Sequence, residues 1–106
     1  MIARFGYFEG LTEQQKRAQE DNASRRFKAA LTSQPGILAV YYMESPNGDR
    51  ATLSIWENKQ ATEQGGINAN AAPLLPGQRG EDIPSPSRVE IWDVLDQFVA
   101  PAAVRA

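Results

Sequence analysis

Short runs rich in branched and aromatic residues occupy Ile2–Phe8, Ile37–Glu44, Arg50–Glu57 and Arg88–Leu95. Each is bounded by turn-forming residues, the pattern of four strands. Between the first two runs, Ala23, Phe27, Ala30 and Leu31 recur at i, i+4, i+7 and i+8, which marks one face of a helix. Thr12 and Gln15 stand at capping-box spacing at its start, and Gln34-Pro35-Gly36 ends it, so the predicted helix covers residues 13 to about 33. Glu13/Arg17 and Asp21/Arg25 are i,i+4 ion pairs on its surface. Ser45-Pro46-Asn47-Gly48-Asp49 reads as a tight hairpin, because Asn47-Gly48 accepts positive φ. Asn58 caps a second helix running from Lys59 at least to Gln64, where Gly65-Gly66 weakens it. Residues 65–87 hold four of the eight glycines and four of the seven prolines. That concentration predicts an irregular excursion, with a short helical turn around Asn68–Leu75.

The element order is β-α-β-β-α-β, which with right-handed crossovers is the α+β, ferredoxin-like sandwich: an antiparallel sheet with both helices on one face. Residues 1–96 make a single domain, and residues 97–106 form a small apolar tail that either frays or docks on a partner. Alternation divides each strand between the two sheet faces. In the second strand Leu38, Val40 and Tyr42 alternate with Ile37, Ala39, Tyr41 and Met43, so both faces are apolar. Only the third strand separates clearly, with Leu53 and Ile55 opposite Thr52, Ser54 and Trp56. The apolar pair is expected to face the helices. Two helices cover one sheet face, and the other would expose a larger apolar patch than monomers usually tolerate. A second copy is the simplest cover, so the chain is expected to dimerise.

Composition narrows the chemistry. A net charge of −2 and a pI near 5.1 argue against a nucleic-acid partner. The third strand also lacks the aromatic, basic and glycine interleaving of RNA-binding modules with this element order. No apolar run approaches the length of a membrane span; the longest is Ile37–Met43. No cleavable leader pattern is present, and a cytoplasmic location is expected. Cysteine and histidine are both absent. That excludes Ser-His-Asp and Cys-His catalysis, thiolate zinc sites and histidine-ligated haem. Asp93 and Asp96 read as a solvated strand end, since two carboxylates without further oxygen ligands make a poor metal site.

Three segments carry a family likeness: Pro35-Gly36-Ile37 opening the second strand, Ser54-Ile55-Trp56-Glu57-Asn58 ending the third, and the element order over residues 1–96. With these the chain resembles the dimeric α/β-barrel superfamily, and within it the antibiotic-biosynthesis-monooxygenase-like proteins. The resemblance implies a homodimer whose sheets close into an α/β barrel, with pockets between helices and sheet. Some members of that group oxidise polyphenolic substrates with dioxygen and no cofactor, and others degrade haem. Haem degradation there needs a histidine and a strand-one asparagine. This chain has no histidine, and the asparagine position falls at Gly6 or its neighbour.

The resemblance sets Trp56 at the end of the third strand as a pocket wall, although the same position suits a core tryptophan. Ser54 shares its face. Arg4 lies on the face of Gly6 and Phe8, where a guanidinium requires a carboxylate or an anionic ligand. Tyr41 is a hydrogen-bond donor for a phenolic ligand. Trp56, Arg4, Tyr41 and Ser54 are thus the expected substrate-binding residues, with no catalytic residue, metal or cofactor assigned. Two ligand-handling readings remain open, beside a third in which the chain is a subunit-interaction domain with no ligand. One is a cofactor-independent monooxygenase acting on a small aromatic or polyphenolic molecule. The other is a non-catalytic ligand-binding or regulatory module on the same fold.

Overall fold

The structure is a computed structural model that describes residues 1–101. It contains β1 (Ile2–Phe8), helix α1, β2 (Ile37–Glu44), β3 (Arg50–Trp56), α2 (Lys59–Asn70) and β4 (Arg88–Asp93). Helix α1 starts as Glu13–Asn22, passes through a π-helical stretch at Ala23–Phe27 and ends with Lys28–Thr32. The strands form one antiparallel sheet in the order β2-β3-β1-β4. This is the ferredoxin-like arrangement that the element order predicts.

Local signals account for the boundaries. The capping box at α1 forms fully: Gln15 N donates to Thr12 Oγ1 at 3.1 Å and Thr12 N donates to Gln15 Oε1 at 2.9 Å. Ala61 N donates to Asn58 Oδ1 at 2.8 Å at the start of α2. Asp21 and Arg25 pair at 2.9 Å, whereas Glu13 lies 3.8 Å from Lys16, one residue short of Arg17. Strand β4 stops at Asp93 rather than Leu95. Val94 N still donates to Met1 O at 2.9 Å, just past the end of the strand. Residues 97–101 have no regular structure; the rest of the predicted tail, 102–106, lies outside the described residues.

Two expectations are revised. Helix α2 continues through Gly65-Gly66 to Asn70, so the irregular segment begins at residue 71 and holds one 3-10 turn, Gly80–Asp82. Gly65 is there for packing: a Cβ on it would overlap Cη2 and Cζ3 of Trp56. Trp56 is 1% exposed and forms the core with Leu31 and Ala69, joined by Ile2, Phe27, Ala30, Ile37, Val40 and Ala61.

That packing also fixes the faces of the sheet. Cross-strand pairs aligned with Trp56 put Ser54, Thr52, Arg4, Gly6, Val40 and Tyr42 on the helix side. Leu53 and Ile55 therefore face away from the helices, the reverse of the sequence-based assignment. They share the open face with Phe5, Tyr7, Tyr41, Met43 and Trp92. A single bulky indole under α2 outweighs two aliphatic side chains, because the large aromatic buries more area. Tyr41 and Trp92 are left 54% and 58% exposed, so the open face is a broad apolar surface.

Gly65 and Gly66 provide a paired test of this packing. Gly65→Ala is expected to destabilise the fold by about 1–3 kcal/mol through overpacking. Gly66→Ala, with no atom within 4 Å of its Cβ position, is expected to stabilise α2 by about 0.5–1 kcal/mol. Urea unfolding of both variants checks the contrast; equal effects would contradict the packing described.

Candidate functional site

Between α1, the helix-facing side of the sheet and the segment after α2 lies a cleft of about 450 Å³. Its floor is the strand row Arg4, Thr52 and Tyr42, with Phe8 at one end. Helix α1 supplies Gln19, Asn22, Ala23, Arg26 and Phe27. The π-helical stretch contributes the last three of these. Such insertions re-aim side chains and are frequent at functional sites. Ile83, Pro84 and Pro86 close the remaining side. A second, more apolar lobe of about 510 Å³ adjoins the first and shares Ala23, Phe27, Tyr42 and Thr52 with it, adding Leu31 and Val40 together with the charged Glu20 and Lys28.

The segment over the cleft is tied down by polar bonds. Arg26 donates from Nε to Ala72 O at 3.0 Å and from Nη2 to Asn70 O at 3.0 Å, and its Nη1 reaches Asn22 Oδ1 at 3.1 Å. Gln78 Nε2 donates to Asp21 Oδ2 at 3.1 Å, and Ser87 N to Tyr7 O at 2.7 Å. These bonds hold the segment after α2 to helix α1 and to the end of β1.

At the far wall Tyr42 Oη donates to Gln19 Oε1 at 2.6 Å and accepts from Arg50 Nη1 at 3.1 Å. Arg50 is also paired with Glu20 at 2.6 Å and Glu44 at 2.9 Å, which ties α1 to both strands of the hairpin. Burial, more than any neighbouring charge, raises the Tyr42 phenol above its ordinary pKa. The Arg50 guanidinium pulls in the other direction but does not prevail. Tyr42 is therefore a neutral hydrogen-bonding group at pH 7. Arg4, half-buried on the floor, is shifted the other way: burial lowers its pKa from the ordinary guanidinium value.

Of the residues singled out in the sequence, Arg4 borders the cleft. Trp56 and Ser54 lie on the same sheet face but outside the cleft lining, Trp56 Nε1 donating to Ser54 Oγ at 2.8 Å, and both are buried, at 1% and 5% exposure. Tyr41 sits on the opposite sheet face and does not share the cavity. Its neighbour Tyr42 occupies the cleft instead. Gln19, Asn22, Tyr42 and Thr52 are cleft residues with a weaker signal in the sequence. Gln19 and Asn22 continue the Ala23/Phe27 stripe one turn toward the N-terminus, polar residues at positions where helical spacing expects apolar ones. Tyr42 and Thr52 are paired by the hairpin register.

With this architecture in hand, the chain can be set beside known proteins. A variant of MhuD with two manganese protoporphyrin IX molecules bound per active site matches with a TM-score of 0.66 at 15% identity, over 94% of this chain and 100% of that chain. At that identity the likeness is one of fold. ActVA-Orf6, a monooxygenase of Streptomyces coelicolor solved with nanaomycin D, gives a TM-score of 0.62 at 14% identity, over 94% of this chain and 92% of that chain. SnoaB, a cofactor-independent oxygenase from Streptomyces nogalater, gives 0.55 at 12% identity over 92% of each chain. No protein-family model matches the sequence, and no curated protein matches it significantly.

The cleft does not fit haem iron. The chain has no histidine or cysteine, neither methionine lines the cleft, and its one phenol is engaged by Gln19 and Arg50. Among the described residues no group of three or more acidic side chains is placed to hold a metal ion, and no helix is long and apolar enough to cross a membrane.

Tyr42 gives the wall of the cleft a spectroscopic signature. A phenol whose folded-state pKa is raised stabilises the protein fully below its unfolded value near pH 10, and loses that contribution as pH rises through the higher folded value. Ultraviolet titration of the native protein against Tyr42→Phe is expected to show the missing phenolate appearing above pH 10. A difference centred at or below pH 10 would contradict the buried geometry.

Proposed function

We propose that this protein is a cofactor-independent monooxygenase that acts on a small aromatic or polyphenolic molecule. The observation that carries the reading is the cleft itself: two joined lobes with apolar walls and one row of polar groups along the floor. A small-molecule site has this composition. The solved structures with the same fold include a monooxygenase with a bound polyketide-type ligand and a cofactor-independent oxygenase, which supports the reading by analogy.

In the proposed reaction an electron-rich substrate supplies the electrons. A carbon beside the ring loses a proton, and its carbanion forms a C–O bond with dioxygen. Protonation gives a hydroperoxide. Loss of the second C–H and cleavage of the O–O bond then leave a carbonyl and release water. The protein's part is to orient the ring in a water-poor cleft and to hydrogen-bond the developing oxyanion. Arg4, Thr52 and the Tyr42–Gln19 pair are the groups in reach of such a ligand. Trp56 and Ser54 lie beside the floor on the same sheet face and hold its register.

One observation favours the second reading, a non-catalytic binding module. No carboxylate, histidine or lysine lines the polar lobe; Glu20 and Lys28 line the apolar lobe, and Glu20 is paired with Arg50 at 2.6 Å, so the polar lobe offers no ordinary general base. In the monooxygenase reading the substrate must therefore be acidic enough to ionise itself. Oxygen uptake with a panel of anthrones and hydroquinones separates the two. Consumption above the spontaneous rate, lowered at least about tenfold in Arg4→Met by loss of one charged donor, is expected. Saturable binding without oxygen consumption would establish the binding module.

The working unit is proposed to be a cytoplasmic homodimer joined through the open sheet face, where Tyr41, Met43, Ile55 and Trp92 lie. Such an interface should bury more than about 1,000 Å². Light scattering at micromolar concentration is expected to give twice the 11.7 kDa chain mass; a particle of chain mass would remove the dimer.

A further inference from the structure

The polar lobe of the cleft is positively charged, and none of the described residues that line it carries a carboxylate. Its lining includes two guanidiniums, Arg4 and Arg26, and no carboxylate, although the chain as a whole carries −2. Arg26 is fully engaged, but with neutral acceptors: Asn22 Oδ1 and the carbonyl oxygens of Asn70 and Ala72. Arg4 differs from the other half-buried arginines. Arg26 has its three acceptors and Arg50 its two carboxylates, whereas Arg4 has no hydrogen bond or ion pair among the described residues. Its cross-strand neighbours are Ser54 and Ile91, so the sheet supplies no counter-charge. Gly6, beside it on the strand, leaves room for the guanidinium: a Cβ there would meet Arg4 Nη1 at 3.6 Å and Thr52 Oγ1 at 3.1 Å.

Across the lobe, Gln19 is 5% exposed. Its Oε1 is taken by Tyr42, and its Nε2 is the one buried side-chain polar atom among the described residues that has no partner. An unpaired half-buried cation and an unpaired buried donor in one lobe are each costly unless a ligand satisfies them. Both ask for an acceptor. The apolar lobe on the far side of Phe27 and Tyr42 asks for a ring.

We infer that the cleft selects an aromatic ligand bearing an anionic oxygen conjugated to or carried on its ring, a carboxylate or an ionised phenol, with the oxygen on Arg4 and the Gln19 amide. This rests on the cleft being the ligand site, and it deepens the proposed function by naming the charge state of the molecule bound. For the ionised phenol it also bears on the lack of a general base: an anion conjugated through the ring already carries at carbon the electron density that reacts with dioxygen. Arg4 suits the role, since a guanidinium stays charged when partly desolvated and presents paired donors to a carboxylate.

The test is calorimetric binding with two matched pairs of oxidised, unreactive probes. One is anthraquinone-2-carboxylate against anthraquinone-2-carboxamide. The other is 2-hydroxy-1,4-naphthoquinone, ionised at neutral pH, against its methyl ether. The first pair reports on carboxylate recognition and the second on the ionised hydroxyl. In at least one pair the anion is expected to bind about tenfold or more tightly than its neutral partner, the scale of one charge-assisted hydrogen bond. Arg4→Met should bring that anion to the level of its neutral partner while leaving the neutral probe unchanged. Arg4→Lys, which keeps the charge but not the fork, should fall between, and Gln19→Leu should weaken the anion by a smaller factor. Thermal melts establish that each variant is folded, and Arg4→Lys carries the comparison if Arg4→Met does not fold. Neutral probes that bind as tightly as both anions, or an anion affinity indifferent to both Arg4 variants, would overturn the inference while leaving the cleft as a binding site. Absence of binding by all four probes to the folded native protein would overturn the inference and the proposed function together.

Discussion

The structure depends on the burial of one indole. Trp56 closes β3 on the helix side, its ring seated on the bare backbone of Gly65 and its Nε1 satisfied by Ser54 two residues earlier. The hydrogen bond runs within a single strand, so the polar atom of a fully buried side chain is met without any long-range partner. Strand alternation then propagates the choice of face. With Trp56 inward, Ser54 and Thr52 must also be inward, and the register carries Arg4, Gly6 and Tyr42 with them. A polar row is thus placed under α1 by the packing of an aromatic residue that never touches the cleft.

That coupling explains why the two faces of the sheet are so unlike each other. The helix side is divided between a tight core around Trp56, Leu31 and Ala69 and a cleft where α1 is lifted by polar residues. The other side holds Phe5, Tyr7, Leu53, Ile55 and the exposed Tyr41 and Trp92. In the proposed dimer the second face would become the interior, with the open sheet as assembly surface and the cleft as the proposed chemical one. The π-helical stretch at Ala23–Phe27 lies where α1 changes from covering the cleft to covering the core.

Much of the fold was legible because the signals were local. The capping box at Thr12, the Asn58 cap, the hairpin at Asn47-Gly48 and the alternating strands each depend on residues a few positions apart. What could not be read locally was the extent of α2 and the facing of β3. Gly65-Gly66 has the propensity of a helix end, but its role is set by the ring of Trp56, nine residues earlier in sequence and brought to it only by the fold. Leu53 and Ile55 are more apolar than Thr52 and Ser54, so strand alternation by itself favours them for the helix side. The preference reverses once Trp56 is weighed with its own face. The same reversal turns Tyr41 outward and brings Tyr42 into the cleft. Arg4 was legible because a charge in an apolar strand stands out. Gln19 and Asn22 were hidden in a polar helix, distinguished only by continuing its buried stripe.

The central claim is that ligand chemistry lives under α1 and not on the open sheet. Backbone amide mapping by nuclear magnetic resonance with anthraquinone-2-carboxylate tests it most directly. The account predicts shifts clustered at Arg4, Gly6, Gln19, Ala23 and Thr52, with Tyr41, Met43 and Trp92 unmoved. Shifts centred on Tyr41, Met43 and Trp92 would contradict it.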